Sequence, residues 1–175
     1  QLDIVTVATS DHAHAQLVLD AARAGAKGIF CEKPLATTVE DAARMVEACR
    51  EGGVQLIVGP SHSFDAPVAL ARQLIESGDH GRVRMINAFN YTDFLYRPRR
   101  PEELNTEKGG GVLFSQGVHQ IDIVRLLAGG MAEKVFAMTG KWDPTRPTEG
   151  AYSALVSFAG GVFASLTYSG YAHFD

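Results

Sequence analysis

Gly28-Ile29-Phe30-Cys31-Glu32-Lys33-Pro34 is the stretch from which the chain is read. A short apolar run ends abruptly in a carboxylate, an amine and a proline, and the polar start of a helix follows. An apolar run of this length with such flanks suits a buried strand of a parallel sheet. In open α/β sheets ligands gather beyond the carboxyl ends of the strands, which is where Lys33 falls. A lysine at the mouth of a buried strand loses hydration, so its pKa can fall and its amine can act as acid or base. The plainer alternative is a solvated turn in which Glu32 and Lys33 carry no chemistry.

Working outward, residues 3–8 read as another buried parallel strand, closing in Thr9-Ser10-Asp11-His12-Ala13-His14. Ser10 or Asp11 caps a helix that runs to about Gly25 with Leu17, Ala21 and Ala24 on one face. Thr37-Thr38-Val39-Glu40 reads as a capping box, Glu40 lying three residues beyond Thr37. Its helix presents Val39, Ala42, Val46 and Cys49 at helical spacing and stops at Gly52-Gly53. Val54-Gln55-Leu56-Ile57-Val58 is a third strand. Strand–helix–strand–helix–strand defines an α/β wind, half of a Rossmann-type domain.

Near residues 59–65 the pattern changes, which places a first domain at 1–62 and a second at 63–175. A helix over about 66–77 ends at Gly78, and a strand covers 83–92. A loop with Pro98 and Pro101 leads through Gly109-Gly110-Gly111 to a helix at about 115–128, followed by a strand at 134–141. Tyr152, Ala154, Val156 and Phe158 alternate, the chain turns at Gly160-Gly161, and Val162, Ala164, Leu166 and Tyr168 return. That is a hairpin with one buried face. The predicted architecture is therefore α/β followed by α+β, the second domain carrying a mostly antiparallel open sheet.

Composition sets limits. The 175 residues suffice for one good core or two small ones, and 46% hydrophobic with 21% charged residues is ordinary for a globular protein. A net charge of −4 without any basic block argues against a nucleic acid or an anionic membrane as partner. Cys31 and Cys49 form no C-x-x-C pair and point to reduced thiols, hence a cytoplasmic protein. No signal peptide or 18-residue apolar run is present. The chain begins with Gln1 rather than Met, already on the edge of a strand, and its last residues read as the end of another. A piece of a longer chain is expected.

Several groups could carry chemistry. Ser115, His119 and Asp122 are spaced four and three apart, so a helix places them on one side. The three preceding glycines allow close backbone approach to a ligand. A serine hydrolase is disfavoured because Leu113-Phe114-Ser115-Gln116-Gly117 is not a G-x-S-x-G elbow. The bland reading is a polar helix face with Asp122 paired elsewhere. His12, His14 and His62 lack the further ligands that zinc needs, so no metal is expected. The loop at 91–101, with Tyr91, Phe94, Tyr96, Arg97, Arg99 and Arg100, is either a solvated connection or the wall of a pocket for an anionic ring, since arginine binds carboxylates as a fork.

Taken together, Glu32-Lys33-Pro34 after a strand, Ala8-Thr9-Ser10-Asp11-His12-Ala13-His14 before a helix, and the run from Gly109 through Asp122 resemble the Gfo/Idh/MocA oxidoreductases, from the first residue to about 170. The resemblance implies a Rossmann domain binding NAD or NADP and an α+β domain whose open sheet packs between subunits of a homo-oligomer. It implies that Lys33 lies near the nicotinamide and that His119 exchanges a proton with the substrate oxygen. It places Ala8, Thr9, Ser10, His14, Glu32, Lys33 and Pro34 on the cofactor side and Tyr91, Arg97, Arg99, Ser115 and His119 on the substrate side. The Lys33-Pro34 bond is expected to be cis, as is common in the family. The run Phe94-Leu95-Tyr96-Arg97-Pro98-Arg99-Arg100-Pro101-Glu102-Glu103-Leu104, followed by Phe114-Ser115-Gln116, resembles the branch containing phthalate 4,5-cis-dihydrodiol dehydrogenase. A cyclic polyol, a sugar or an aromatic dihydrodiol carboxylate is the implied substrate class. An NAD-dependent glycosidase and a non-catalytic cofactor-binding regulator are the alternatives. Two departures stand out. No G-x-G-x-x-G turn joins a strand to a helix in this chain, so the 175 residues alone are expected to bind dinucleotide weakly or not at all and to be inactive. Ser115 replaces an Asp found in many members, and a hydroxyl orients an imidazole without raising its basicity as a carboxylate would.

Overall fold

The computed structural model describes residues 3–173. They fall into two compact units, one running through Pro60 and taking in Glu107–Gly109, the other holding Ser61–Thr106 and the chain from Gly110 on.

The first unit is a three-stranded parallel sheet of β1 (Ile4–Val7), β2 (Gly28–Cys31) and β3 (Gln55–Val58), with β2 in the middle. Ile4 pairs with Gly28, and Cys31 with Val58, so the three carboxyl ends are level. A 3₁₀ turn at Asp11–Ala13 and then α1 (His14–Arg23) link β1 to β2. Helix α2 (Val39–Glu51) links β2 to β3. Val7, Val18, Ile29, Cys31, Met45, Cys49 and Val54 form the core between sheet and helices. Each large apolar side chain among them contributes roughly 1.5–3 kcal/mol by leaving water.

Two helical faces differ from expectation. On α1 the buried side chains are His14, Val18 and Leu19, whereas Leu17 and Ala24 are exposed. The buried stripe accommodates a polar ring because that ring lies within hydrogen-bond distance of the Pro34 carbonyl. On α2 Met45 and Cys49 are buried, while Val39 and Val46 face outward. The flexible thioether of Met45 fills the space against the sheet that the branched valines were expected to fill. The cap also shifts by one residue: Thr38 Oγ1, not Thr37, accepts from Asp41 N–H at 3.1 Å. The helix stops at Gly52-Gly53 as the sequence predicts.

The second unit opens with a 3₁₀ turn at Ser61–Phe64 and α3 (Ala66–Ser77), which ends at Gly78. Four strands follow: β4 (Met85–Tyr91), β5 (Ala132–Gly140), β6 (Ala151–Phe158) and β7 (Phe163–Ser169), in the spatial order β4-β7-β6-β5. The β5–β6 and β6–β7 pairs are antiparallel, and β4 lies parallel to β7. β6 and β7 make the expected hairpin, Gly160 and Gly161 both taking positive φ in its turn. Strand β7 closes at Ser169, and the chain's last two residues, where a strand end was expected, lie outside the described residues. One sheet face buries Tyr152, Ala164, Leu166 and Tyr168 with Val124 of helix α4 (Val118–Ala128). The other face exposes Met85, Phe89, Tyr91, Phe136, Met138, Leu155 and Phe163.

Candidate active site

In the first unit the level strand ends gather the residues expected to face a cofactor. Ala8, Thr9 and Ser10 leave β1 exposed, and Glu32, Lys33 and Pro34 leave β2. The Lys33-Pro34 bond is cis, as the resemblance implied. Glu32 folds back so that Oε2 accepts the backbone N–H of Lys33 at 3.3 Å. Lys33 is half-buried and Pro34 buried. Open α/β sheets bind their ligands beyond the carboxyl ends of parallel strands, and these residues lie there.

His14 plays a different part from its neighbours. It is fully buried, with Nδ1 2.9 Å from the carbonyl oxygen of Pro34 and Nε2 3.3 Å from that of Thr9. A carbonyl only accepts and a neutral imidazole carries one N–H, so the ring donates through Nδ1 to Pro34 at the shorter distance and packs its other nitrogen beside Thr9. His14 is thus packed behind Thr9 and Pro34 rather than lining an open surface. Beneath the same loop, burial and then the Glu32 and Asp11 carboxylates push the Cys31 thiol from an ordinary 9.0 up to about 11. Cys31 is therefore a packed thiol, and burial raises Cys49 as well.

In the second unit the helix carrying His119 begins in an unusual way. Leu113–Gly117 form a π-helical turn before α4, so Ser115 and Gln116 sit on a widened turn and His119 on the first regular one. Such turns are rare and concentrate at functional sites. Gln116 Nε2 donates to Ser115 Oγ at 3.3 Å. The Ser115–His119–Asp122 face that regular helical spacing implies is accordingly altered at its first member. Both oxygens of Asp122 have other partners: Ser63 Oγ donates to Oδ2, and Arg125 Nη2 lies 3.0 Å from Oδ1. Asp122 is thus a strut that pins the 61–64 turn to α4, which removes the remaining support for a serine-hydrolase triad.

Glu149, which carries no sequence signal, and the Tyr152–Gln120 pair complete this end of the unit. Glu149, only 7% exposed, accepts from Thr106 Oγ1, from Thr148 Oγ1 at 3.1 Å and from the Leu113 N–H at 3.2 Å. A Cβ on Gly111 would occupy the position of that carboxylate, and Gly111 has φ +87°, so only glycine fits. Tyr152 donates to Gln120 Oε1 at 2.5 Å, and Gln120 Nε2 donates to the Thr167 carbonyl at 3.3 Å, which registers α4 on β6 and β7.

The loop at 91–101 is ordered by its own ion pairs. Arg99 lies 3.8 Å over the Phe94 ring, donates to the Phe94 carbonyl at 3.1 Å and pairs with Glu103 at 3.3 Å. Its side chain is 16% exposed, so its guanidinium is committed to the loop. Burial pulls the Glu103 carboxyl up, but the Arg100 N–H and the Arg99 guanidinium outweigh it and hold Glu103 below the usual carboxylate range. Arg97 pairs with Asp93 at 2.5 Å and remains about half exposed. Tyr91 stands on the outer sheet face, opposite the face that packs on α4. The sequence-based grouping of Tyr91, Arg97 and Arg99 is therefore dispersed over three different environments. Among the described residues, no three His, Cys, Asp or Glu side chains converge as metal ligands.

Residues 1–60 match the model of an oxidoreductase family with an NAD-binding Rossmann fold, and residues 68–175 match the Gfo/Idh/MocA C-terminal domain. The chain belongs to the Gfo/Idh/MocA oxidoreductase family. It is 53% identical over 174 residues to a 1-carboxy-3-chloro-3,4-dihydroxycyclohexa-1,5-diene dehydrogenase of Comamonas testosteroni, covering 99% of this chain and 44% of the relative. A solved structure from Bordetella bronchiseptica RB50 superposes with a TM-score of 0.94 at 47% identity, over 100% of this chain and 46% of the other. The WlbA dehydrogenase of Bordetella pertussis, solved with NADH and UDP-GlcNAcA, gives 0.83 at 28% identity over 98% and 53% of the two chains. The chain thus spans less than half the length of the curated relative it matches.

Proposed function

We propose that the complete protein is an NAD(P)-dependent dehydrogenase that moves a hydride between a CH–OH carbon of a cyclic substrate and the nicotinamide. The observation that carries this reading is the pairing of motifs: Lys33 at the carboxyl end of the middle parallel strand and His119 on a helix entered through a π-turn and a glycine loop. His119 takes the hydroxyl proton, and Lys33 polarises the oxygen or relays that proton. NAD, when bound, supplies the hydride acceptor, with Ala8, Thr9, Ser10 and Glu32 beside it and His14 and Pro34 fixing the loops. Ser115 orients the substrate side of the helix.

The substrate class follows the 53% identical relative, whose name specifies a carboxylated ring dihydrodiol. Rearomatisation favours hydride loss from such a ring. Arg97, the more exposed of the two buttressed guanidinium groups, is assigned to the substrate carboxylate, with Arg99 and Tyr91 shaping the loop and the sheet edge. The apolar outer sheet face is assigned to a homo-oligomer contact. The test is to follow nicotinamide reduction with 1-carboxy-3-chloro-3,4-dihydroxycyclohexa-1,5-diene, inositol and glucose as substrates and NAD⁺ or NADP⁺ as acceptor. Net reduction with the dihydrodiol is expected. Glycoside cleavage without net reduction would support the glycosidase alternative, and neither activity would support a cofactor-binding regulator.

A further inference from the structure

Ser61-His62-Ser63-Phe64 lies outside every element to which a function has been assigned, yet it contacts the helix of His119 through two successive side chains. The ring of His62 meets the ring of His119 edge-on, with centroids 4.5 Å apart and planes at 66°. The next side chain, Ser63, donates to Asp122 one turn further along α4. On its other side, His62 Nδ1 lies 2.8 Å from Oδ2 of Asp65, the N-cap residue of α3. A carboxylate accepts only, so Nδ1 carries the hydrogen and Nε2 is the basic nitrogen. The His62 side chain is 56% exposed, whereas His119 is half-buried.

We propose that His62, held by Asp65, is the residue through which His119 returns its proton to solvent. The inference rests on the dehydrogenase reading for the source of that proton. When the substrate CH–OH is oxidised, the C–H electron pair leaves as hydride to the nicotinamide and the O–H proton passes to His119. From there it moves to His62 Nε2, directly or across one water, and then to bulk water. The Asp65 carboxylate stabilises the transient imidazolium of His62, and both rings end as they began. Among the described contacts, the charged and titratable groups at the pair include Asp65 on the α3 side and His119, Asp122 and Arg125 on the α4 side. Asp122 is already balanced by Arg125 at 3.0 Å, which leaves Asp65 as the carboxylate that tunes His62.

Two readouts on the complete protein decide the proposal. In weak buffer, His62→Gln is expected to lower dihydrodiol turnover by about ten- to a hundredfold with KM little changed, and added imidazole to restore much of the loss. A rate near that of the unaltered protein, or a loss that imidazole leaves untouched, would overturn it. Independently of any substrate, the imidazole NMR titration of His119 is expected to shift its midpoint in His62→Gln and in Asp65→Asn, the latter keeping a good helix N-cap. A His119 titration unmoved in both variants overturns the relay. If the unaltered protein fails to oxidise the dihydrodiol, the functional reading falls, and the titration still decides whether the two rings are coupled.

Discussion

Replacing Glu149 by alanine removes a carboxylate that accepts from Thr106, from Thr148 and from the first N–H of the π-turn. The hydroxyls of Thr106 and Thr148 lie 2.8 Å apart and can satisfy each other once the carboxylate is gone. The half-buried Leu113 N–H loses its acceptor, and an orphaned donor costs about 1–3 kcal/mol. Adding the lost charge-assisted bonds and subtracting the recovered hydroxyl pair gives a net loss of roughly 3 kcal/mol. For a chain of this size that lowers the unfolding midpoint by roughly 6–12 °C. Glu149→Gln keeps an oxygen for Leu113 and an amide for the hydroxyls, so about 1 kcal/mol is expected. Urea denaturation of the three proteins, with thermal melts alongside, measures both values. A loss below about 1 kcal/mol for Glu149→Ala, or equal losses for the two variants, would refute the reasoning.

Three further outcomes are expected. Arg97→Gln should raise KM for a carboxylated dihydrodiol about ten- to a hundredfold while leaving inositol, if used at all, unaffected; steady-state kinetics with both substrates checks this. The Cys31 thiol is raised in the fold, so its contribution to stability is fully present below pH 9 and is lost as pH rises toward 11. Cys31→Ala should flatten that part of the pH–stability curve, as read by denaturation at pH 8, 9.5 and 11. Phe136→Glu with Leu155→Glu on the outer sheet face should lower the oligomeric state in sedimentation without changing the circular dichroism spectrum, because each charge would be buried in the proposed contact.

Much of this architecture is legible in the sequence because it depends on local signals. The apolar runs at 28–31 and 55–58, the Gly78 stop and the Gly160-Gly161 turn each fix an element within a few residues. Which helical stripe is buried is less legible. α2 offers two overlapping apolar stripes, and only contact with the sheet selects Met45 over Val46. His14 shows the same limit, since its carbonyl partners at Thr9 and Pro34 are 5 and 20 residues away. The widened turn at Leu113–Gly117 leaves no mark on periodicity, and Glu149, which accepts from its first N–H, lies 36 residues downstream. The role of Asp122 was open for the same reason: Ser63 is 59 residues away in the chain. His62 was visible only as a histidine near a strand end; its ring contact with His119 required the fold.

Lys33 and His119 are proposed to serve one hydride transfer. Its most direct test is the turnover of the complete protein with the dihydrodiol and NAD⁺ for Lys33→Met, His119→Ala and the double variant. Each single change is expected to lower the rate by about two to four orders of magnitude, and the double variant to fall by less than the product of the two. Near-native rates in both single variants, or fully multiplicative losses in the double, would contradict the claim.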